Sequence, residues 1–249
     1  MHILDDPYDL SERAREFLHR AGRREDPGRF EIPIEMWRVR DRAGRMVLAP
    51  PELIIRLEGF VQRYGGLRYH VRNSWNPGGE PLVWERGWEY DHYGARTAAW
   101  QDASRDGWCF EWLGQRVSKP CRELIHTNGS VGSDVDGSGP FVATAPSLTR
   151  LIESHAVTDS VADWRPWPML VRSAADPILG PLDRLPLVPE ASWDTQRWLL
   201  SDSVAVSDSA CLGLGDDDAP RRRFCVWSRG EDGHRQVREA LAAVREAER

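Results

Sequence analysis

The stretch PPELIIRLEGFVQRYGGL, from Pro50 to Leu67, constrains this chain more than any other. Proline at a first helical position costs nothing, because that N–H has no intrahelical acceptor. Leu53, Leu57, Phe60, Val61 and Tyr64 then recur at the spacing of one helix face. Gly65 and Gly66 supply the stop, since glycine most easily takes the positive φ that often follows a last turn. The chain passes from there into the alternating run Leu67–Arg72.

Other elements follow from the same kind of reading. A helix is predicted from about Leu10 to Ala21, with Asp9 as N-cap and Glu12 three residues on, the spacing of a capping box. A strand is predicted over Glu35–Arg40, turning at Arg42–Gly44. Beyond Leu67 the period becomes that of strands, and Asp106–Gly107 and Asn128–Gly129 are hairpin turn dipeptides. Trp108–Leu113 and Gln115–Val117 read as paired strands around Gly114. Leu148, Leu151, Ile152 and His155 mark another helix, capped by Thr144 or Ser147. Five prolines between Pro166 and Pro186 read as an extended linker. After it come strands at Val204–Val206 and Phe224–Trp227, and a closing helix from about His234.

The expected fold class is α+β, an antiparallel β-meander flanked by helices with a smaller C-terminal α/β extension. The expected division is a domain at 1–162, a Pro/Trp-rich linker at 163–190 and a small strand–helix unit at 191–249. With 249 residues, 41% hydrophobic and 29% charged, the chain can build a core. No apolar run approaches the roughly 20 residues that span a bilayer, and the N-terminus is acidic where a secretory signal is basic. A soluble, cytoplasmic protein without a membrane partner is expected. The net charge of −6 argues against nucleic acid, whose phosphates need a basic surface, and suits a basic protein partner. Cys109, Cys121, Cys211 and Cys225 form no C-x-x-C pair and are read as reduced thiols.

Chemistry-bearing patterns are sparse. Asp134, Asp136 and Gly139 imitate the start of a calcium loop, but the twelfth position from Asp134 is Ala145, which offers no side-chain ligand. That segment is expected to be a solvated turn or an acidic contact loop, and Gly215–Asp218 is similar. Trp84, Trp88, Tyr90, Tyr93 and Trp100 gather beside Glu85, Glu89 and Asp91. Such rings form an interface hot spot or else fill the core. Asp91 and His92 are neighbours on a strand and point to opposite faces. No G-x-S-x-G elbow is present, and Gly129–Gly132 lacks the lysine of a phosphate loop. An enzyme requires residues distant in sequence to converge.

Three pieces in order resemble the SUKH superfamily: a first helix ending at Ala21–Gly22, the PPEL…YGGL helix, and a meander closing on FVATAPSLTRLIES. The resemblance covers roughly residues 8–157. It implies an α+β domain of the kind known as immunity proteins, which bind and neutralise bacterial toxins, and it carries no catalytic residues. The expectation is a non-catalytic protein-binding module without cofactor or metal. It would occlude a basic toxin with a face drawn from Trp84, Trp88, Tyr90, Asp91, Asp134 and Asp136. The alternatives are a metal-dependent hydrolase or nuclease using scattered carboxylates, and a scaffold or regulatory subunit.

Overall fold

The structure is a computed structural model that describes residues 1–26, 37–74, 82–90, 99–102, 106–113, 122–134, 141–173, 180–211 and 221–247. Its fold class is α+β, as the sequence predicts. The chain divides into two units, one of Met1–Val71 with Trp84–Leu151, the other of Arg72–Val83 with Ile152–Arg249.

The chain opens with α1 (Glu12–Ala21), β1 (Arg23–Arg24), β2 (Arg38–Arg40), β3 (Met46–Leu48) and α2 (Pro51–Tyr64). Ser11, not Asp9, caps α1, its hydroxyl accepting the Ala14 N–H at 3.3 Å. Asp9 is occupied elsewhere, paired with Arg63 and accepting from the Thr149 hydroxyl at 3.2 Å. In α2, Leu53, Leu57 and Phe60 are buried, as the periodicity requires. Gly66, at φ +76°, turns the chain after that helix and donates its N–H to the Trp88 carbonyl at 2.9 Å. The helix stop is thereby also the first rung of the sheet.

Strands β4 (Leu67–Asn73), β5 (Leu82–Tyr90), β6 (Ala99–Gln101) and β7 (Trp108–Leu113) follow. They continue through β8 (Arg122–His126), β9 (Val131–Asp134) and β10 (Val142–Ala145) into α3 (Leu148–Ser160). The strand order is β1-β4-β5-β7-β6-β2-β3, with β8, β9 and β10 branching in turn from β7. The pairs from β6 to β10 along this branch are antiparallel, whereas β2 meets β6 in parallel at Arg40 and Trp100. The predicted strand at Gln115–Val117 lies outside the described residues, and β7 pairs instead with β5, β6 and β8. Ser147 caps α3 through the Arg150 N–H at 3.2 Å.

The second unit corrects two expectations. Within the expected linker, the described residues include two paired strands: β11 (Arg165–Pro166) and β12 (Leu170–Ser173) both pair with β15 (Arg221–Ser228). Proline is tolerated there because an edge position does not need its N–H in a ladder. The C-terminal part is likewise more than a small strand–helix unit. Strands β13 (Gln196–Leu200), β14 (Val204–Ala210) and β15 form an antiparallel ladder. Helix α4 (Gly230–Ala247) buries Val237 and Ala240 in a core with Leu199, Val204, Val206, Phe224 and Val226. A second cluster joins Val157 and Val161 of α3 to Trp198, Ala205 and Trp227.

Candidate functional site

The predicted contact residues fall into different environments. Trp88 is fully buried, which removes it from any contact face. Its ring lies 4.6 Å from that of Trp112, 5.5 Å from Tyr64 and 6.1 Å from Tyr69, an aromatic cluster at the centre of the first unit. The reason is register. Arg86 and Trp88 sit on the same face of β5, and at Trp88 the last residue of α2, Tyr64, packs its ring on the indole while Gly66 bonds the Trp88 carbonyl. Trp84, two pairs earlier, remains half-buried. Its neighbour Glu85 accepts from Arg23 at 3.2 Å and from Arg68 at 3.4 Å. The backbone of Tyr90 pairs with Trp112 and that of Asp134 with Arg122. Asp91 and Asp136 lie outside the described residues.

A different group converges that no motif announces. Asp102, which follows β6, Cys109 of β7 and His126 at the end of β8 bring their side-chain ligand atoms within 4.8 Å of one another. All three are sealed from solvent, at 1%, 0% and 1% exposure. His126 Nε2 stands 3.7 Å from Asp102 Oδ2. Its Nδ1 accepts the N–H of Asn128 at 3.1 Å, which leaves the proton of a neutral ring on Nε2, facing the carboxylate. The ring also lies 5.3 Å from Phe141. Gly107, at φ +124°, crosses directly over it, and a Cβ there would sit 2.5 Å from His126 Cε1.

One thiol, one imidazole and one carboxylate form a donor set suited to zinc rather than to calcium or magnesium, which prefer oxygen. The tautomer opposes it. With Nδ1 already accepting a backbone N–H, a cation at Nε2 has to displace the ring's proton or turn the ring. As it stands, the group is a buried polar cluster beside a turn that Thr127 ties to β7, donating its N–H to the Trp108 carbonyl at 2.8 Å and accepting the Trp108 N–H on its hydroxyl at 3.0 Å. The burial of its thiol and imidazole denies them to any substrate. Cysteine spacing gives no hint of it, because one residue follows β6 and the others lie in β7 and β8, at intervals of 7 and 17 positions.

Compared with known proteins, the chain matches no family model, no curated protein and no solved structure.

Proposed function

We propose that this chain is a non-catalytic protein-binding module of the SUKH immunity type, acting in the bacterial cytoplasm by occluding the active site of a cognate toxin. The observation that carries the reading is the passage of α2 through Gly65 and Gly66 straight into β4. In the family that the sequence resembles, a helix ending in a glycine pair leads into the sheet in this way. The run from β10 into α3 behind the Ser147 cap supports it further.

Occlusion needs surface and charge. Trp84, half-buried on β5, offers an aromatic anchor. The net charge of −6 favours encounter with a basic cleft. Trp88 takes no part, because a partner cannot reach it.

The test is affinity capture from the native host, washed at low and high salt. The retained basic protein is then expressed alone and together with this chain. Toxicity when alone, relief on co-expression and loss of relief with Trp84→Ala are the expected results. A stoichiometric partner that is harmless alone overturns the immunity reading in favour of a scaffold or regulatory subunit.

A further inference from the structure

Independent of any toxin-binding surface, the second unit contains a cleft of about 630 Å³ between the Arg165–Arg172 segment and one flank of α4. That volume lies within the roughly 300–1,000 Å³ range of small-molecule sites. Its floor is aliphatic and aromatic. Leu170, Leu241, Val244 and Trp167 are partly buried against the core of this unit. Trp167 donates its indole N–H to Ser228 Oγ at 2.7 Å, so its ring offers the cleft an apolar face rather than a donor.

Three arginines line the same space: Arg165, Arg172 and Arg238. Among the described residues, no carboxylate lines it with them. Arg165 holds its guanidinium 4.8 Å above the Trp167 ring centroid. Neither Arg165 nor Arg238 has an ion pair with a carboxylate among the described residues. Arg172 is half-buried and shares a strand face with Leu170, so charge and apolar wall alternate along β12. In a chain whose net charge is −6, three cations gathered around an apolar cleft are not a sample of the general surface.

An apolar cleft with a cationic rim is complementary to one kind of small molecule. An acyl chain fills the aliphatic floor, and its anionic head pairs with the guanidiniums, whose planar fork matches a carboxylate's two oxygens. We propose that this cleft binds a medium-chain carboxylate of the fatty-acid type, with its head held by Arg172 and Arg238 and its tail along Leu170, Leu241 and Val244.

The probe is dodecanoate, kept below its micellar concentration and titrated calorimetrically into the full chain. Dodecyltrimethylammonium serves as the equally apolar cation, and butyrate as the anion without a tail. Saturable one-to-one binding of dodecanoate is expected, with both controls weaker by at least about tenfold. Arg238→Gln, at an exposed position, is expected to weaken dodecanoate by about tenfold, and Arg172→Gln with it to weaken binding further. Leu241→Asn reduces affinity for the tail. Failure of dodecanoate to saturate overturns the proposal. So does equal binding of the cationic analogue, or an unchanged affinity in the Arg172→Gln/Arg238→Gln variant at unchanged melting temperature.

Discussion

Arg72 engages Asp159 through both main chain and side chain, its backbone N–H donating to Oδ1 at 2.9 Å and its guanidinium Nε donating to the same oxygen at 3.3 Å. The guanidinium also reaches Asp163 at 2.9 Å. The two carboxylates are not equivalent: the Asp159 side chain is 3% exposed and that of Asp163 is 70% exposed. Asp159→Ala strands a backbone donor and part of a guanidinium in a sheltered site, and is expected to cost about 1.5–3 kcal/mol. Asp163→Ala stays within about 0.5 kcal/mol of the parent, because water replaces an exposed partner. Urea unfolding of both variants measures the difference, and equal losses would refute the distinction.

The two tryptophans of β5 are expected to separate stability from the proposed recognition. Trp88→Ala opens a cavity among Tyr64, Tyr69 and Trp112 and is expected to destabilise the first unit by about 3–5 kcal/mol. Trp84→Ala, at a half-buried site, costs much less and weakens partner capture instead. Thermal melts alongside the capture assay decide the matter. A Trp84 variant that melts like the Trp88 variant would place Trp84 in the core as well.

His2 makes stability depend on pH. It is 3% exposed, its Nδ1 accepts the Leu4 N–H at 3.2 Å, and burial, reinforced by the nearby Arg24, holds its pKa below the ordinary 6.5. The native state therefore resists protonation that the unfolded chain accepts. Stability from this group is complete above about pH 6.5 and falls as pH drops from there towards the lowered native value. The stability lost between about pH 7.5 and 5.5 is expected to be smaller in His2→Gln than in the parent. An equal loss in both assigns the acid sensitivity to other groups.

The Asp102–Cys109–His126 network is expected to work without metal. Dialysis against zinc followed by elemental analysis should give well under one zinc per chain, and a chelator should leave the melting temperature unchanged. Equimolar zinc together with a chelator-induced drop would show that the ring turns to ligate. The proton on Nε2 can be read directly from the nitrogen shifts of His126.

Gly107 carries a constraint that its neighbours do not. Gly107→Ala puts a Cβ against the His126 ring at a φ of +124°, and both effects are unfavourable. A loss of about 2–4 kcal/mol is expected. Gly44→Ala, also at positive φ but with open space around it, should cost about 1 kcal/mol. Paired denaturation curves compare strain alone with strain plus contact.

What the sequence discloses is what local physics dictates. The stripe of α2, the stops at Gly22 and Gly65–Gly66, and the turns at Gly107 and Gly129 are written in a few adjacent residues. The α1 cap is displaced from Asp9 to Ser11 because Arg63 and Thr149, far away in sequence, claim the Asp9 carboxylate. Strands β8, β9 and β13 escape prediction because they are short and their burial depends on partners elsewhere in the chain. The Pro166–Pro186 segment misleads for a related reason: proline content signals irregular chain, and only the pairing with β15 reveals edge strands. The candidate site is the least legible part. Trp88 and Trp84 look alike in the sequence and are separated by what α2 covers, while Asp102, Cys109 and His126 meet only through the order of β6, β7 and β8.

Each unit carries its own close pair of indoles, Trp88 with Trp112 at 4.6 Å and Trp198 stacked on Trp227 at 5.6 Å. Rings this near one another couple their electronic transitions, and the coupling vanishes when packing loosens. The chain therefore contains two built-in optical gauges, one for each core. Replacing one member of one pair silences that gauge and leaves the other, so the loss of order in either unit can be followed without attaching a label.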